Sequence, residues 1–280
     1  MSNRKEDEIR EEVRERYAGI ASGDTGCCGS GQPASCGCES STTPSASELR
    51  GYTRDELDGV PGDADMGLGC GNPQIMAGLR PGEVVLDLGC GGGLDCFLAA
   101  DKVGDEGMVI GIDMTPEMLA RARSNAEGGG YGNVKFRLGE IEHLPVPDGS
   151  VDVIISNCVI NLSLDKPAVY REAYRVLKPG GRLAISDMVA LKPLPPEMLE
   201  DADLLCKCVA GALPMEELEG ILADAGFAGI KIDTREESRE FVKDWSPGSG
   251  AEDHVISAAI EAVKPVTVCE CGCGCTSPAE

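Results

Sequence analysis

The sequence is poor in aromatic residues and in positive charge. Phenylalanine, tryptophan and tyrosine make up 4% of its 280 residues, so a surface that stacks on nucleobases or sugar rings is not expected. Lysine and arginine number 25 against 48 acidic residues, which gives a net charge of −23. This charge repels the phosphates of nucleic acids and the anionic surface of membranes, and we expect neither as a partner.

The sequence also lacks a long apolar run. No segment approaches the ~20 apolar residues of a membrane-spanning helix. The first residues, MSNRKEDEIREEVRERY, lack the apolar core of a signal peptide and instead predict a charged helix over 3–19. We therefore expect a cytoplasmic protein.

Histidine occurs only twice, without an evident acid–base partner, whereas cysteine occurs 14 times. The clustered cysteines are Cys27 and Cys28, Cys36 and Cys38, Cys206 and Cys208, and Cys269, Cys271, Cys273 and Cys275. Four others, Cys70, Cys90, Cys96 and Cys158, stand alone. Because cytosolic thiols are mostly reduced, close spacing indicates soft-metal or redox chemistry rather than a disulfide framework.

Strand and helix patterns alternate from residue 83 onward. The predicted strands are EVVLDLG, GMVIGIDM, VKFRLGE, VDVIISNC and GRLAISDMV. Helical segments between them predict an α/β fold with a doubly wound, mostly parallel sheet and helices on both faces. Residues 194–213 and 215–227 are predicted as two helices, and 228–237 and 254–264 as late strands that complete the sheet.

A glycine-rich loop, Gly89–Gly93, follows the first strand, where a parallel sheet binds its ligand. Three details favour an amino acid joined to a nucleoside over a dinucleotide. Asp87 precedes the glycines, where a carboxylate repels a pyrophosphate but attracts an ammonium group. Asp113 ends the second strand, where a ribose diol can donate to it, and residues 140–142 follow the third strand at the same edge.

In these motifs the sequence resembles the class I S-adenosylmethionine-dependent methyltransferases, which have a Rossmann-like fold. The resemblance covers roughly residues 80–190 through VLDLGCGGG, GIDMTPEML, GEIEHLPVPDGSVDVIISN and RVLKPGGRLAISD. It implies S-adenosylmethionine as the cofactor. The residues implied in binding it are Asp87, Gly89, Cys90, Gly91, Asp113, Met114, Glu140, Ile141 and Asn157.

Three cysteines from distant segments are candidates for one acceptor site. Cys158 follows Asn157 at the end of the fourth strand, Cys70 lies in GLGCGNP before the first strand, and Cys208 lies in CKCVAGAL. Thiolates select soft, thiophilic centres. A trivalent centre held by three sulfurs keeps a lone pair that can attack a methyl donor.

Outside the common fold the sequence resembles the arsenite methyltransferase family. The matching segments are RERYAGIASG with CCG, GLGCGNP, SNCVINL, CVAGAL and ISAAIEAVKP, and they extend the resemblance to nearly residues 8–265. It implies arsenite, or its thiol conjugates, as the substrate and mono- and dimethylated arsenicals as products. It also implies that trivalent arsenic is bound by Cys158 and Cys208, with Cys70 as a third ligand or a redox partner.

The resemblance further implies a disulfide relay between Cys70 and a cysteine of the Cys27–Cys28 pair, taken here as Cys28. If arsenic's lone pair forms the As–C bond, arsenic is formally oxidised, and two protein thiols can return the electrons by forming a disulfide. Thioredoxin or glutathione then reduces that disulfide.

The chain is divided by composition and resemblance into four parts. These are an N-terminal helix with a Cys-rich mobile loop (1–60), the cofactor-binding domain (61–190), C-terminal arsenic-binding helices with the last strands (191–264) and a Cys-rich tail (265–280). The tail thiols either pass metal inward or are a passive chelator. A monomer is expected.

Two alternatives remain open on the sequence. The first is a methyltransferase for a small organic acceptor, in which the thiols are incidental. The second is a non-catalytic soft-metal binding protein that keeps the fold.

Overall fold

The computed structural model describes residues 3–23, 44–245 and 247–266. In these ranges the strands are β1 (Val84–Leu88), β2 (Met108–Asp113), β3 (Val134–Leu138), β4 (Val151–Asn157), β5 (Leu177–Ala190), β6 (Leu213–Pro214), β7 (Ala228–Arg235) and β8 (Val255–Val263). The helices are α1 (Asn3–Ser22), α2 (Ala46–Leu49), α3 (Arg54–Asp58), α4 (Gln74–Ala77), α5 (Leu94–Val103), α6 (Pro116–Gly129), α7 (Lys166–Val176), α8 (Pro196–Leu199), α9 (Ala202–Cys206), α10 (Met215–Asp224) and α11 (Ser238–Trp245).

The strands form one sheet in the order β3-β2-β1-β4-β5-β8-β7, with β6 paired to the end of β5. β1 to β5 are parallel, whereas β8 runs antiparallel to both β5 and β7. The chain moves outward from β1 to β3 and then crosses to β4 on the other side of β1. This reversal opens a crevice beyond the carboxyl ends of β1 and β4, where doubly wound sheets bind ligands. The predicted fold class is confirmed.

Helices cover both faces because the central strands are apolar on both sides. Leu86 and Ile154 point into one core, which α7 and α10 complete. Their neighbours Val85 and Ile155 point into the opposite core, which includes α5. A third apolar cluster lies at the carboxyl end of β5 and includes Cys70, Cys158 and Cys208.

The prediction of one helix over 194–213 is wrong. The segment forms α8 and α9, because the side chain of Asp201 accepts hydrogen bonds from the backbone N–H groups of Asp203 and Leu204 and begins a new helix there. The chain leaves α9 before Cys208, whose φ of +59° is left-handed. Cys208 therefore lies in a turn and not within a helix.

The predicted N-terminal helix is present as α1, and its Val13 is buried against the rest of the protein. Most of the predicted Cys-rich loop lies outside the described residues. None of the helices in the described ranges is long and apolar enough to cross a membrane.

The buried sheet centre makes a stability prediction. Replacing Ile155, which is 0% exposed, with alanine leaves a cavity, and we expect it to lower the free energy of unfolding by about 2–5 kcal/mol. The matched change Ile75→Ala, at a side chain 65% exposed, should cost less than about 0.5 kcal/mol. Urea unfolding measures both, and equal losses would contradict the assignment of the core.

Candidate active site

A cavity of about 400 Å³ opens at the crevice between the ends of β1 and β4. Its size is in the range of small-molecule sites. One wall is the glycine loop after β1, where Gly89 and Gly91 have φ values of +70° and +50°. A Cβ at Gly89 would overlap the side chain of Val159. The loop therefore requires glycine there, both for its left-handed backbone and for the close approach.

Asp87 lines the cavity and is almost completely buried. It is the residue predicted to bind the amino-acid part of the cofactor. Its carboxylate accepts a hydrogen bond from the thiol of Cys96, at 3.2 Å. Burial, with the charge of nearby Asp95, raises the pKa of Asp87 well above its usual range. Among the described residues no cation forms an ion pair with it, so an ammonium group of a ligand would supply the missing charge.

Asp113, at the end of β2, is fixed in direction by two backbone groups. Its two carboxylate oxygens accept hydrogen bonds from the N–H of Thr115 at 2.8 Å and of Gly91 at 3.0 Å. Burial raises its pKa. Each oxygen keeps a second lone pair, so the carboxylate can still accept hydrogen bonds from a ribose.

The other predicted cofactor residues divide into two groups. Met114, Ile141 and Cys90 line the cavity. Glu140 does not line it; its carboxylate accepts a hydrogen bond from Arg14 of α1 at 3.3 Å. The sequence placed Glu140 at the cavity border because it follows β3, but the chain turns there and directs the side chain outward. Glu142 is the acid that lines the cavity.

Asn157, at the end of β4, links the cavity wall to the segment that precedes β1. Its amide nitrogen donates to the carbonyl of Gly71 at 2.7 Å and to the hydroxyl of Tyr52 at 2.9 Å. Its amide oxygen accepts from the N–H of Cys70 at 3.0 Å. A Cβ at Gly69 would overlap the Asn157 side chain. These contacts hold Cys70 against the end of β4.

Helix α1 covers the cavity. Val13 and Tyr17 are among its lining residues, and the Tyr17 hydroxyl donates to the carbonyl of Cys206 at 3.1 Å. Arg16 pairs with Asp203 at 2.6 Å. The helix therefore bridges the cofactor side of the site and α9, next to the acceptor side.

The candidate arsenic ligands meet at the carboxyl end of β4. The sulfur atoms of Cys70 and Cys158 and a carboxylate oxygen of Asp187 all lie within 4.8 Å of one another. The thiol of Cys208 donates to the backbone carbonyl of Cys158 at 2.8 Å. Cys158 and Cys208 also line the cavity. The structure thus brings Cys70 and Cys158 together and places Cys208 directly beside Cys158.

Burial favours the protonated form of two of these thiols, Cys158 and Cys208. Burial, with hydrogen bonds from Cys208 and Cys70, raises the pKa of Cys158 well above its usual range. The hydrogen bond with Cys158 favours the thiolate of Cys208, but burial and the nearby charge of Asp187 raise its pKa to about 11. Burial raises the pKa of Asp187 to about 6.

Cys158 and Cys208 share an unusual backbone. Both have a φ of +59°, and within the described ranges they are the only residues other than glycine with positive φ. This conformation costs a side-chain-bearing residue roughly 1–2 kcal/mol and is concentrated at functional sites. The fold holds both thiols in position despite this cost.

Sequence reasoning missed three residues of the site. Asp187 lies inside β5, directly after Ser186, which pairs with Asn157 at the end of β4. The sequence did not mark it, because the predicted strand GRLAISDMV continues past it. Tyr52 donates its hydroxyl to the buried carboxylate of Asp95 at 2.9 Å. No motif marks Tyr52 or Asp95, because Tyr52 lies outside the alternating pattern and Asp95 follows the glycine loop on a helix.

Several predicted thiols cannot be placed. Cys28, its neighbour Cys27, Cys36, Cys38 and the four tail cysteines lie outside the described residues. Their predicted roles therefore stay predictions. Cys206, predicted as a bystander, lies on α9 close to Arg16 of α1.

Comparison with known proteins gives a consistent result. Residues 79–226 match a family model described as a methyltransferase domain. The chain is 50% identical over 271 residues to the arsenite methyltransferase of Halobacterium salinarum, across 95% of this chain and 69% of that protein. It is 34% identical to the mouse arsenite methyltransferase, across 83% of this chain and 61% of that one.

A solved structure agrees with these relatives. The arsenic (III) S-adenosylmethionine methyltransferase from Chlamydomonas reinhardtii superimposes with a TM-score of 0.58 at 34% identity, covering 79% of this chain and 73% of that chain. With half of its residues identical across nearly its whole length to one such enzyme, and with the same fold as another, this chain belongs to the arsenite methyltransferase family of S-adenosylmethionine-dependent methyltransferases.

Proposed function

We propose that the protein transfers methyl groups from S-adenosylmethionine to trivalent arsenic, which it receives as arsenite or a thiol conjugate and converts to mono- and dimethylated products. The observation that supports this most directly is the position of Cys158 on the cavity wall. Its sulfur lies within 4.8 Å of that of Cys70, and its backbone carbonyl accepts from the thiol of Cys208. Trivalent arsenic is thiophilic, and protein thiolates select such soft centres. The reaction would serve arsenic detoxification.

The described residues fit the cofactor. S-adenosylmethionine supplies a methyl group made electrophilic by its sulfonium. Asp87, which is buried without a cation, would receive the ammonium group, and Asp113 would accept from the ribose hydroxyls. Met114 and Ile141 would pack on the adenine, since both line the cavity with apolar atoms.

Protonated thiols suit the binding of arsenite. Arsenite is a neutral trihydroxide at neutral pH, and each As–S bond forms as a thiol proton leaves with an arsenic hydroxyl as water. The exchange creates no net charge, which matters because Cys158 and Cys208 are buried. Cys70 would supply the third sulfur or act as the redox partner.

After methyl transfer, the return of arsenic to the trivalent state would require two electrons. The arsenic lone pair forms the As–C bond while the C–S bond of the donor breaks and its electron pair stays on sulfur. Arsenic is formally oxidised from the trivalent to the pentavalent state. Oxidation of Cys70 and Cys28 to a disulfide would return two electrons to arsenic, and thioredoxin or glutathione in the cytoplasm would reduce the disulfide.

The ligand assignment predicts the effect of removing one thiol. We expect Cys158→Ser or Cys208→Ser to lower arsenite-dependent formation of S-adenosylhomocysteine by at least about 100-fold. Loss of a direct ligand should cost more than the roughly 10- to 100-fold that is typical for a residue that only contacts a ligand. Cys206→Ser, the same change two residues from Cys208, should stay within about 2-fold of the wild type. Full methylation by Cys158→Ser would contradict the assignment. Tight arsenite binding by the wild type without cofactor consumption would favour a soft-metal binding protein.

The cofactor assignment predicts a binding defect at Asp113. Because Asp113→Ala removes the acceptor for the ribose, we expect S-adenosylhomocysteine to bind about 10- to 100-fold more weakly in calorimetry. Asp105→Ala, at an exposed residue between α5 and β2, is the matched control. Equal affinities for the two variants would argue against this role.

The relay predicts a thiol balance. In a single turnover without added reductant, each methyl group transferred should consume two protein thiols, counted by titration after denaturation. Cys70→Ser should prevent this loss. Methylated product formed with no fall in the wild type's thiol count would show that the electrons come from elsewhere.

A further inference from the structure

Arg50 is a buried cation for which the described protein provides no anion. It follows α2, the residue is 9% exposed, and it belongs to the lining of the cavity. Its Nε and Nη1 atoms are buried, and neither has a hydrogen-bond partner within the described residues. Its guanidinium carbon lies 5.8 Å from the ring centre of Phe241, a contact with the ring's π-system.

This arrangement is unfavourable without a ligand. A guanidinium group stays protonated at any accessible pH, and a buried charge needs a hydrogen-bonded partner to offset its lost hydration. Two acids that line the same cavity, Asp65 and Asp244, are not hydrogen-bond partners of these two nitrogens. The carboxylate of Asp65 instead accepts from Ser47 and from the N–H of Gly67.

We propose that Arg50 binds the carboxylate of a small molecule held in this cavity. Guanidinium and carboxylate are planar groups that match in a two-point contact, and such charge-assisted pairs are among the strongest hydrogen bonds in proteins. The inference rests on the proposed function, because both ligands of that reaction can present a carboxylate. The two sources are the methionyl part of the cofactor and the tripeptide of a glutathione conjugate of arsenite.

The position of Arg50 suits both sources. Two residues later, Tyr52 donates its hydroxyl to Asp95 and accepts from Asn157, so this segment passes the end of the cavity that includes Asp87. The cofactor's ammonium and carboxylate share one carbon atom, which would place the carboxylate within reach of the same wall. Phe241, under the guanidinium, packs against the apolar cluster that contains the candidate arsenic ligands.

Calorimetry tests the cofactor source. The probes are S-adenosylhomocysteine, which has the methionyl carboxylate, and 5′-methylthioadenosine, which lacks the amino acid. For Arg50→Met we expect about a 10- to 100-fold loss of affinity for the first probe and a change within about 2-fold for the second. Arg54→Met is the matched control, because Arg54 is exposed and pairs with Glu48 away from the cavity.

Kinetics test the thiol-conjugate source. If Arg50 binds the tripeptide, Arg50→Met raises the KM for arsenite about 10-fold or more with glutathione but not with dithiothreitol, which has no carboxylate. The affinity for S-adenosylhomocysteine then stays unchanged. In either case Arg50→Lys, which keeps the charge and loses the planar fork, should restore part of the effect.

Thermal unfolding separates ligand binding from a structural role. Because Arg50→Met removes an unpaired buried charge, the unliganded variant should melt no lower than the wild type. A lower Tm with equal losses for both calorimetric probes would show a structural role and overturn the proposal, as would the absence of any effect on either ligand. If Arg50→Met does not fold, Arg50→Gln takes its place. Failure of the wild type to bind S-adenosylhomocysteine would instead count against the proposed function.

Discussion

The hydrogen bonds of Asn157 set the distance between the two halves of the site. One amide at the end of β4 contacts the backbone on both sides of Cys70, while Cys158 is its own next neighbour in the chain. The separation of these two sulfurs is therefore fixed through a single side chain. Gly69 permits this approach, because any Cβ there would displace the amide.

The charges of the cavity are complementary to those of a zwitterion. Asp87 is buried without a paired cation among the described residues, and Arg50 is buried without a paired anion. Each of these charges lost hydration when the chain folded, and a ligand group of opposite charge would offset that loss. A ligand with both charges would relieve this unfavourable electrostatic arrangement. An uncharged nucleoside would not.

The parts of this structure that follow local rules were predictable. Alternating patterns predicted the sheet, and Asp113 and Cys158, which the strand-end rule marked, line the cavity at the crevice. Contacts between distant segments were not predictable: Tyr52 and Asn157 are 105 positions apart, and no motif connects them. The sequence also did not predict the helix break at Asp201. The apolar pattern continues past this residue, although its side chain caps a new helix. Glu140 was misplaced for a related reason, since a residue's position after a strand does not determine where its side chain points.

The cover that α1 forms over the cavity is held by two kinds of contact with different responses to solvent. Its ion pairs, Arg14 with Glu140 and Arg16 with Asp203, are partly exposed, so dissolved salt screens them. The burial of Val13 is apolar, and excluded salts strengthen rather than weaken it. A rise in salt concentration therefore weakens the ion pairs of this helix but not its apolar contact. The salt around the protein can thus change how firmly α1 closes the cavity, without any change in the sequence.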